Sequence, residues 1–292
     1  MYTVFDPHFL HLSGKTEDYL DLAVQYGIGG IGVDSELLDD EPRALEVAKQ
    51  VWDRGLGWSI MFTPVDFYAP ATDDQIFEEG LECFKRRCAV AEKMKVKYCY
   101  NHVWSSNADR AYDENFEWHI RRLRRVQQVC EDHGIFYGLE FLGPREVLYR
   151  FAHPFIHTIA GVTALADAAG GKAGFLFDTY HWSCEGARTD DLYFALAHVD
   201  RMCGFHVNDG VFGRTLPFQR DMERAMPLTT GVIDAATPYK LFQRAGYTGP
   251  VVCEPLHPTM ELYQTYTKER CVREFAEAYA RLEKQGSGKT AF

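Results

Sequence analysis

No apolar run in this 292-residue chain approaches the ~20 residues that a membrane-spanning helix needs, so no membrane span is expected. Positive charge is also in short supply. With 31 basic against 42 acidic side chains and a formal charge of −11, the chain offers no broad cationic surface for a phosphate backbone, and nucleic acid is not expected as a partner. The eight cysteines (Cys83, Cys88, Cys99, Cys130, Cys184, Cys203, Cys253, Cys271) form no Cys-x-x-Cys pair and follow no secretory leader. Each lies within or beside an apolar segment, so reduced packing residues and a cytoplasmic location are expected. A Gly-x-Gly-x-x-Gly loop is missing after the first apolar run, which argues against an open dinucleotide-binding sheet. Near the end, Gly286-Ser287-Gly288-Lys289-Thr290 mimics part of a phosphate-binding loop, but Glu283 stands where its leading glycine belongs.

What is present is a regular series of short apolar runs. Strands are expected at residues 2–5, 28–33, 58–63, 96–101, 135–141, 173–178, 202–207 and 250–254, each a near-continuous run of the kind a buried parallel strand shows. Helical periodicity fills the gaps, as in Phe116, Ile120, Leu123, Val126 and Cys130, or Phe155, Ile159, Val162, Ala166 and Ala169. Gly27, Gly55, Gly134 and Gly246 follow apolar-periodic stretches, where a left-handed helix cap is expected. Eight strand–helix units predict an α/β fold, a single (β/α)8 TIM barrel over residues 1–285, with 286–292 as a flexible C-terminal tail. One connection, from Asn208 to Thr230, carries Arg214, Arg220 and Arg224 and no clean apolar period, and reads as a structureless binding loop or lid.

Four of the runs close on a residue that can ligate a metal: Glu140, Asp178, His206 and Glu254. In a β/α barrel the C-terminal strand ends converge on one mouth, where the chemistry of the fold is placed. Three carboxylates and an imidazole meeting there suit a fairly hard divalent cation, Mn²⁺ first and Mg²⁺ or Co²⁺ next, better than structural zinc. His102, just after Asn101 at the end of the fourth strand, is a candidate acid or polar wall. Asp6, His8 and Asp34 follow the first two strands and could also reach ligand. Trp104, Trp182 and Phe212 are candidates for stacking on a sugar, and His257 for lining the pocket.

The segments Leu139-Glu140-Phe141, Asp178-Thr179-Tyr180-His181, Phe205-His206-Val207-Asn208-Asp209 and Val252-Cys253-Glu254-Pro255 resemble the xylose isomerase-like TIM barrels described as sugar phosphate isomerases/epimerases. The resemblance spans roughly residues 1 to 285. It implies that Glu140, Asp178, His206 and Glu254 are the metal ligands and that His181 contacts substrate. It further implies a substrate contact for Glu146, six residues after Glu140. The arginine that follows the metal histidine in the epimerases has no match at the same spacing, and Arg214 or Arg224 could serve instead. Members of this superfamily include D-tagatose 3-epimerase, inosose dehydratases and isomerases, hydroxypyruvate isomerase and endonuclease IV.

A divalent ion held by the carbonyl and neighbouring hydroxyl oxygens of a sugar acidifies the C–H between them. Two carboxylates on opposite faces then give epimerisation, and one shuttling base gives aldose–ketose isomerisation. Glu140 and Glu254 are the expected acid–base pair, with His181 assisting. The same enolisation with a β-leaving group makes a lyase or dehydratase, acting on a keto-cyclitol or a 3-keto glycoside and including C-glycoside cleavage. A nuclease like endonuclease IV needs further histidines, which Thr63 and the Arg220–Glu223 segment do not supply, and a sugar-binding barrel would need no acid–base pair. The partner is thus expected to be a small sugar or polyol-ketone, unphosphorylated, with homo- or hetero-oligomer left open.

Overall fold

The computed structural model describes residues 1–65, 67 and 74–286. Nine short strands form one parallel sheet: β1 (Tyr2–Phe5), β2 (Gly30–Ile31), β3 (Gly57–Trp58), β4 (Met61–Phe62), β5 (Tyr98–Val103), β6 (Phe136–Phe141), β7 (Gly174–Asp178), β8 (Met202–Val207) and β9 (Pro250–Cys253). Their order is β3-β2-β1-β9-β8-β7-β6-β5-β4. The sheet begins and ends on β3 and β4, which are joined by Ser59 and Ile60 alone, so the chain itself closes the barrel. The expected third strand over 58–63 is therefore split. Its first half pairs Trp58 with Ile31 of β2 and its second pairs Met61 with Cys99 of β5, so it serves as the seam of the barrel.

Inside the barrel, Val4, Ile60, Tyr100, Leu176, Cys203 and Val252 form a plug of their own, apart from the larger core between strands and helices. Two glycines make this packing fit. A Cβ on Gly204 would stand 2.0 Å from Ile60 Cδ1, and one on Gly138 would stand 2.3 Å from Cys203 Sγ. Barrel interiors are filled by layered side chains in this way, so the chemistry is confined to the mouth.

The helix expected from Phe155 begins later, at Ile159, because Thr158 caps it by accepting the Gly161 N–H at 3.1 Å. Gly27, Gly55, Gly134 and Gly246 all adopt positive φ after helices, as expected, and Lys95 turns the same corner at φ 60 without a glycine. The connection after β8 is not structureless. It holds a 3₁₀ turn at Leu216–Phe218, a strand pairing of Glu223–Arg224 with His257–Pro258, and a bridge between Asp209 and Ala225. The buried Asp209 carboxylate accepts five backbone N–H groups, from Gly210, Thr230, Gly231, Val232 and Ile233, at 2.8 to 3.1 Å. That satisfies backbone donors which side-chain periodicity does not reveal. The last helix, Lys268–Gly286, runs one residue beyond the expected domain end, and the expected tail at 287–292 lies outside the described residues. Among the described residues no helix is long and apolar enough to cross a membrane.

Candidate metal centre and active site

Strand register builds the site. His102 on β5 lies opposite Glu140 on β6, and His206 on β8 lies opposite Asp178 on β7, with Glu254 one residue beyond β9. All parallel strands end at the same mouth, so these side chains converge. Glu140, Asp178, His181, His206 and Glu254 are all buried. His206 Nδ1 stands 3.5 Å from Glu140 Oε1 and 3.4 Å from Glu254 Oε2. His181 Nε2 is 3.7 Å from Asp178 Oδ2 and 4.0 Å from Glu140 Oε1. Potential ligand atoms of Asp178, His206 and Glu254 lie within 4.8 Å of one another, as do those of Glu140, Asp178 and His181.

The donor set fits a divalent cation on two grounds. Both oxygens of Glu140 and Nδ1 of His206 are buried without a hydrogen-bond partner; His102 Nε2 is 3.0 Å from Glu140 Oε2 but poorly aligned for one. Buried polar atoms are rarely left so, and an ion is one of the few explanations. Charge gives the second ground. Three carboxylates meet one guanidinium, that of Arg224, so the buried cluster is balanced only when its histidines are protonated or a cation is bound, and unpaired charge there is costly.

Arg224 sits deeper than a far-side substrate contact would. Its Nη1 donates to Asp178 Oδ2 at 2.8 Å and also to Glu254, Nε donates to the Asp221 carbonyl at 3.0 Å, and the guanidinium lies 4.7 Å over the Tyr180 ring. Asp178 Oδ1 is fixed by the Tyr180 N–H at 2.6 Å and Asn208 Nδ2 at 3.0 Å.

Titration follows this arrangement. Burial raises the Glu254 carboxyl, but Arg224 and His206 outweigh it and pull the pKa down to about 2. Burial likewise acts upward on Glu140, yet His102 and His206 hold it well below the usual carboxylate range. Asp178 goes the other way, raised by burial with Glu254 and Glu140 adding to it, against Arg224 and His181. Burial disfavours the charged His206 and His102 rings, but the surrounding carboxylates, Glu254 and Glu140 foremost, raise both.

The His181 ring is oriented by one backbone contact. The Gly143 N–H donates to its Nδ1 at 3.2 Å, and Nε2 lies 3.2 Å from Arg224 Nη2, so the ring is held between a backbone donor and the guanidinium. Gly143 must be glycine, because a Cβ would stand 2.0 Å from the His181 carbonyl oxygen.

Other sequence candidates are placed elsewhere. Exposed Glu146 accepts the Asp221 N–H at 2.6 Å and so fastens the loop after β8 beside the site. Arg214 pairs with Glu223, and half-buried His257 with Glu261. Trp182 is buried against Phe177 with Nε1 donating to the Arg188 carbonyl at 3.0 Å, a packing role. Trp104 is half-buried under the Arg150 guanidinium, and Phe212 is exposed. Asp6 accepts the His8 N–H at 3.0 Å, and Asp34 caps the helix Ser35–Asp39 through the Leu37 N–H at 2.6 Å. The sequence reading missed Tyr100 and Phe9, whose rings lie 5.5 and 5.7 Å from His206, as well as Gly143 and Asn208 as supports. Asn208 follows His206 by two residues, a signal that was available; Gly143 had none.

No curated protein matches the sequence. Similar solved structures include a xylose isomerase domain protein from Alicyclobacillus acidocaldarius subsp. acidocaldarius, 23% identical, with TM-score 0.78 and covering 98% of this chain and 99% of that one. The protein IOLI with a bound zinc atom is 16% identical, with TM-score 0.79 over 99% of this chain and 100% of that one. A D-psicose 3-epimerase determined in the presence of D-fructose is 15% identical, with TM-score 0.73 over 99% and 100%. At these identities the likeness establishes the fold. The family model for the xylose isomerase-like TIM barrel matches residues 20–279, nearly the whole barrel from the first helix to the last, and the chain belongs to that family.

Proposed function

We propose that the protein is a divalent-metal-dependent sugar isomerase or epimerase working by enolisation, with Glu140 and Glu254 as its acid–base pair. The observation that carries this reading is the Glu140 carboxylate, buried with neither oxygen hydrogen-bonded, in a cluster of three carboxylates around one guanidinium. Glu140, Asp178, His206 and Glu254 would hold the cation, with Mn²⁺ favoured by the carboxylate-rich set and zinc the competitor that the IOLI structure contains. Bound there, the cation would supply Lewis-acid polarisation of an α-hydroxy ketone. Glu140 and Glu254 come from β6 and the end of β9 and both approach His206 Nδ1, at 3.5 and 3.4 Å; as the acid–base pair, one would remove a proton from the substrate carbon and the other return one. His102 lies beside Glu140, and His181, held between the Gly143 N–H and the Arg224 guanidinium, is the histidine assigned to contact substrate. The neighbouring D-psicose 3-epimerase supports a ketose-type substrate.

Metal-reconstituted protein incubated with ketoses and inososes in D₂O tests the reading by mass spectrometry. Metal-dependent deuterium incorporation is expected, and an isomer or epimer as product. An unsaturated product would assign the lyase outcome of the same enolisation instead. Absence of exchange with metal bound would refute the proposal.

A further inference from the structure

A second compartment adjoins the metal centre. A cavity of about 630 Å³ opens at the same mouth, over the ends of β1, β2 and β4, while the candidate ligands stand over β6 to β9. None of Glu140, Asp178, His181, His206 or Glu254 lines it. The two spaces share a wall at Phe62, a lining residue whose ring lies 5.1 Å from the His102 ring, and His102 in turn reaches Glu140. Phe62 remains 47% exposed although the Tyr100 and His102 rings lie 5.0 and 5.1 Å from its own.

The volume lies in the range of whole ligand pockets, so it is far more room than the reacting carbons of one sugar use. Its chemistry is polar without net positive charge. Arg43 is paired with Glu17 at 3.0 Å and Arg87 with Asp39 at 2.6 Å, and the remaining Lys15 shares the lining with Asp34 and Glu36. A phosphate or carboxylate would gain little there. Ser35 and Glu36, exposed on the wall, have no side-chain hydrogen-bond partner among the described residues, and His8 and His11 add further donors or acceptors.

We infer that this compartment binds a second, neutral, polyhydroxylated group, so that the substrate is a keto sugar glycosidically linked to another sugar rather than a free monosaccharide. The inference rests on the enolisation reading above and adds the substrate's size and chemistry to it. The test compares solvent-deuterium incorporation by the Mn²⁺-loaded protein into 3-keto-glucose, 3-keto-trehalose and phenyl 3-keto-glucoside. A kcat/KM roughly tenfold higher for 3-keto-trehalose than for the other two is expected, and Ser35→Phe, which fills the cavity from an exposed position, should bring that ratio down to about one. Equal kcat/KM on all three overturns the second compartment and leaves enolisation standing. Preference for the phenyl glycoside overturns the hydroxylated class. Exchange on none of the three overturns the parent reading and this one with it.

Discussion

Glu254 is both a buried part of the fold and, in the proposed mechanism, an acid–base group. Its folded pKa of about 2 lies below the ordinary 4.5, so its ionised form contributes stability that is complete above pH 4.5 and is lost as pH falls toward 2. Acid unfolding of the metal-free protein, followed by circular dichroism, should therefore steepen in that window, and Glu254→Gln should flatten the window's slope. In turnover, Glu140→Gln and Glu254→Gln should each lower metal-dependent deuterium exchange by about 10²- to 10⁴-fold, the range for a lost acid–base group. Unchanged exchange in both variants would reject the pair. Gly143 is a positioning residue: its N–H holds His181 Nδ1 and its position tolerates no Cβ, so Gly143→Ala should raise KM in the exchange assay more than Glu146→Gln does.

At the scale of elements, most of the barrel was legible because a strand buried on both faces writes itself as a continuous apolar run. Residues 202–207 came out at their bounds, and Glu140, Asp178, His206 and Glu254 were each placed at a strand end. What stayed hidden depends on partners distant in sequence. The division of the third strand follows from pairing with β2 on one side and β5 on the other, which no local pattern encodes. His102 falls inside β5, not just after it, since register with β6 extends that strand to Val103. The connection after β8 looked unstructured because its order comes from one buried carboxylate and its backbone donors rather than from apolar periodicity. Asp209→Asn replaces one acceptor oxygen with a donor facing backbone N–H groups, and should cost about 1–3 kcal/mol in thermal unfolding. It should also open residues 208–233 to limited proteolysis, and since this connection carries Arg224, exchange activity should fall with it.

For the whole molecule, the closed barrel presses its like-charged side chains together at one mouth, and an overall charge of −11 adds to the demand for a cation there. A ligand that binds the folded state alone stabilises it by mass action, about 2.7 kcal/mol at one hundred times its Kd. Saturating Mn²⁺ should accordingly raise Tm by roughly 5–10 °C, given about 2–4 °C per kcal/mol for chains of this general size. Glu140→Gln should abolish most of that rise. The measurement that bears most directly on the central claim is deuterium incorporation from D₂O into a keto sugar by protein stripped of metal and then titrated with Mn²⁺, with bound metal counted in the same samples. Exchange should be absent at the start and rise in proportion to occupancy, reaching its limit near one ion per chain. Exchange that is independent of occupancy, or a fully occupied protein that exchanges nothing, would contradict enolisation at this site.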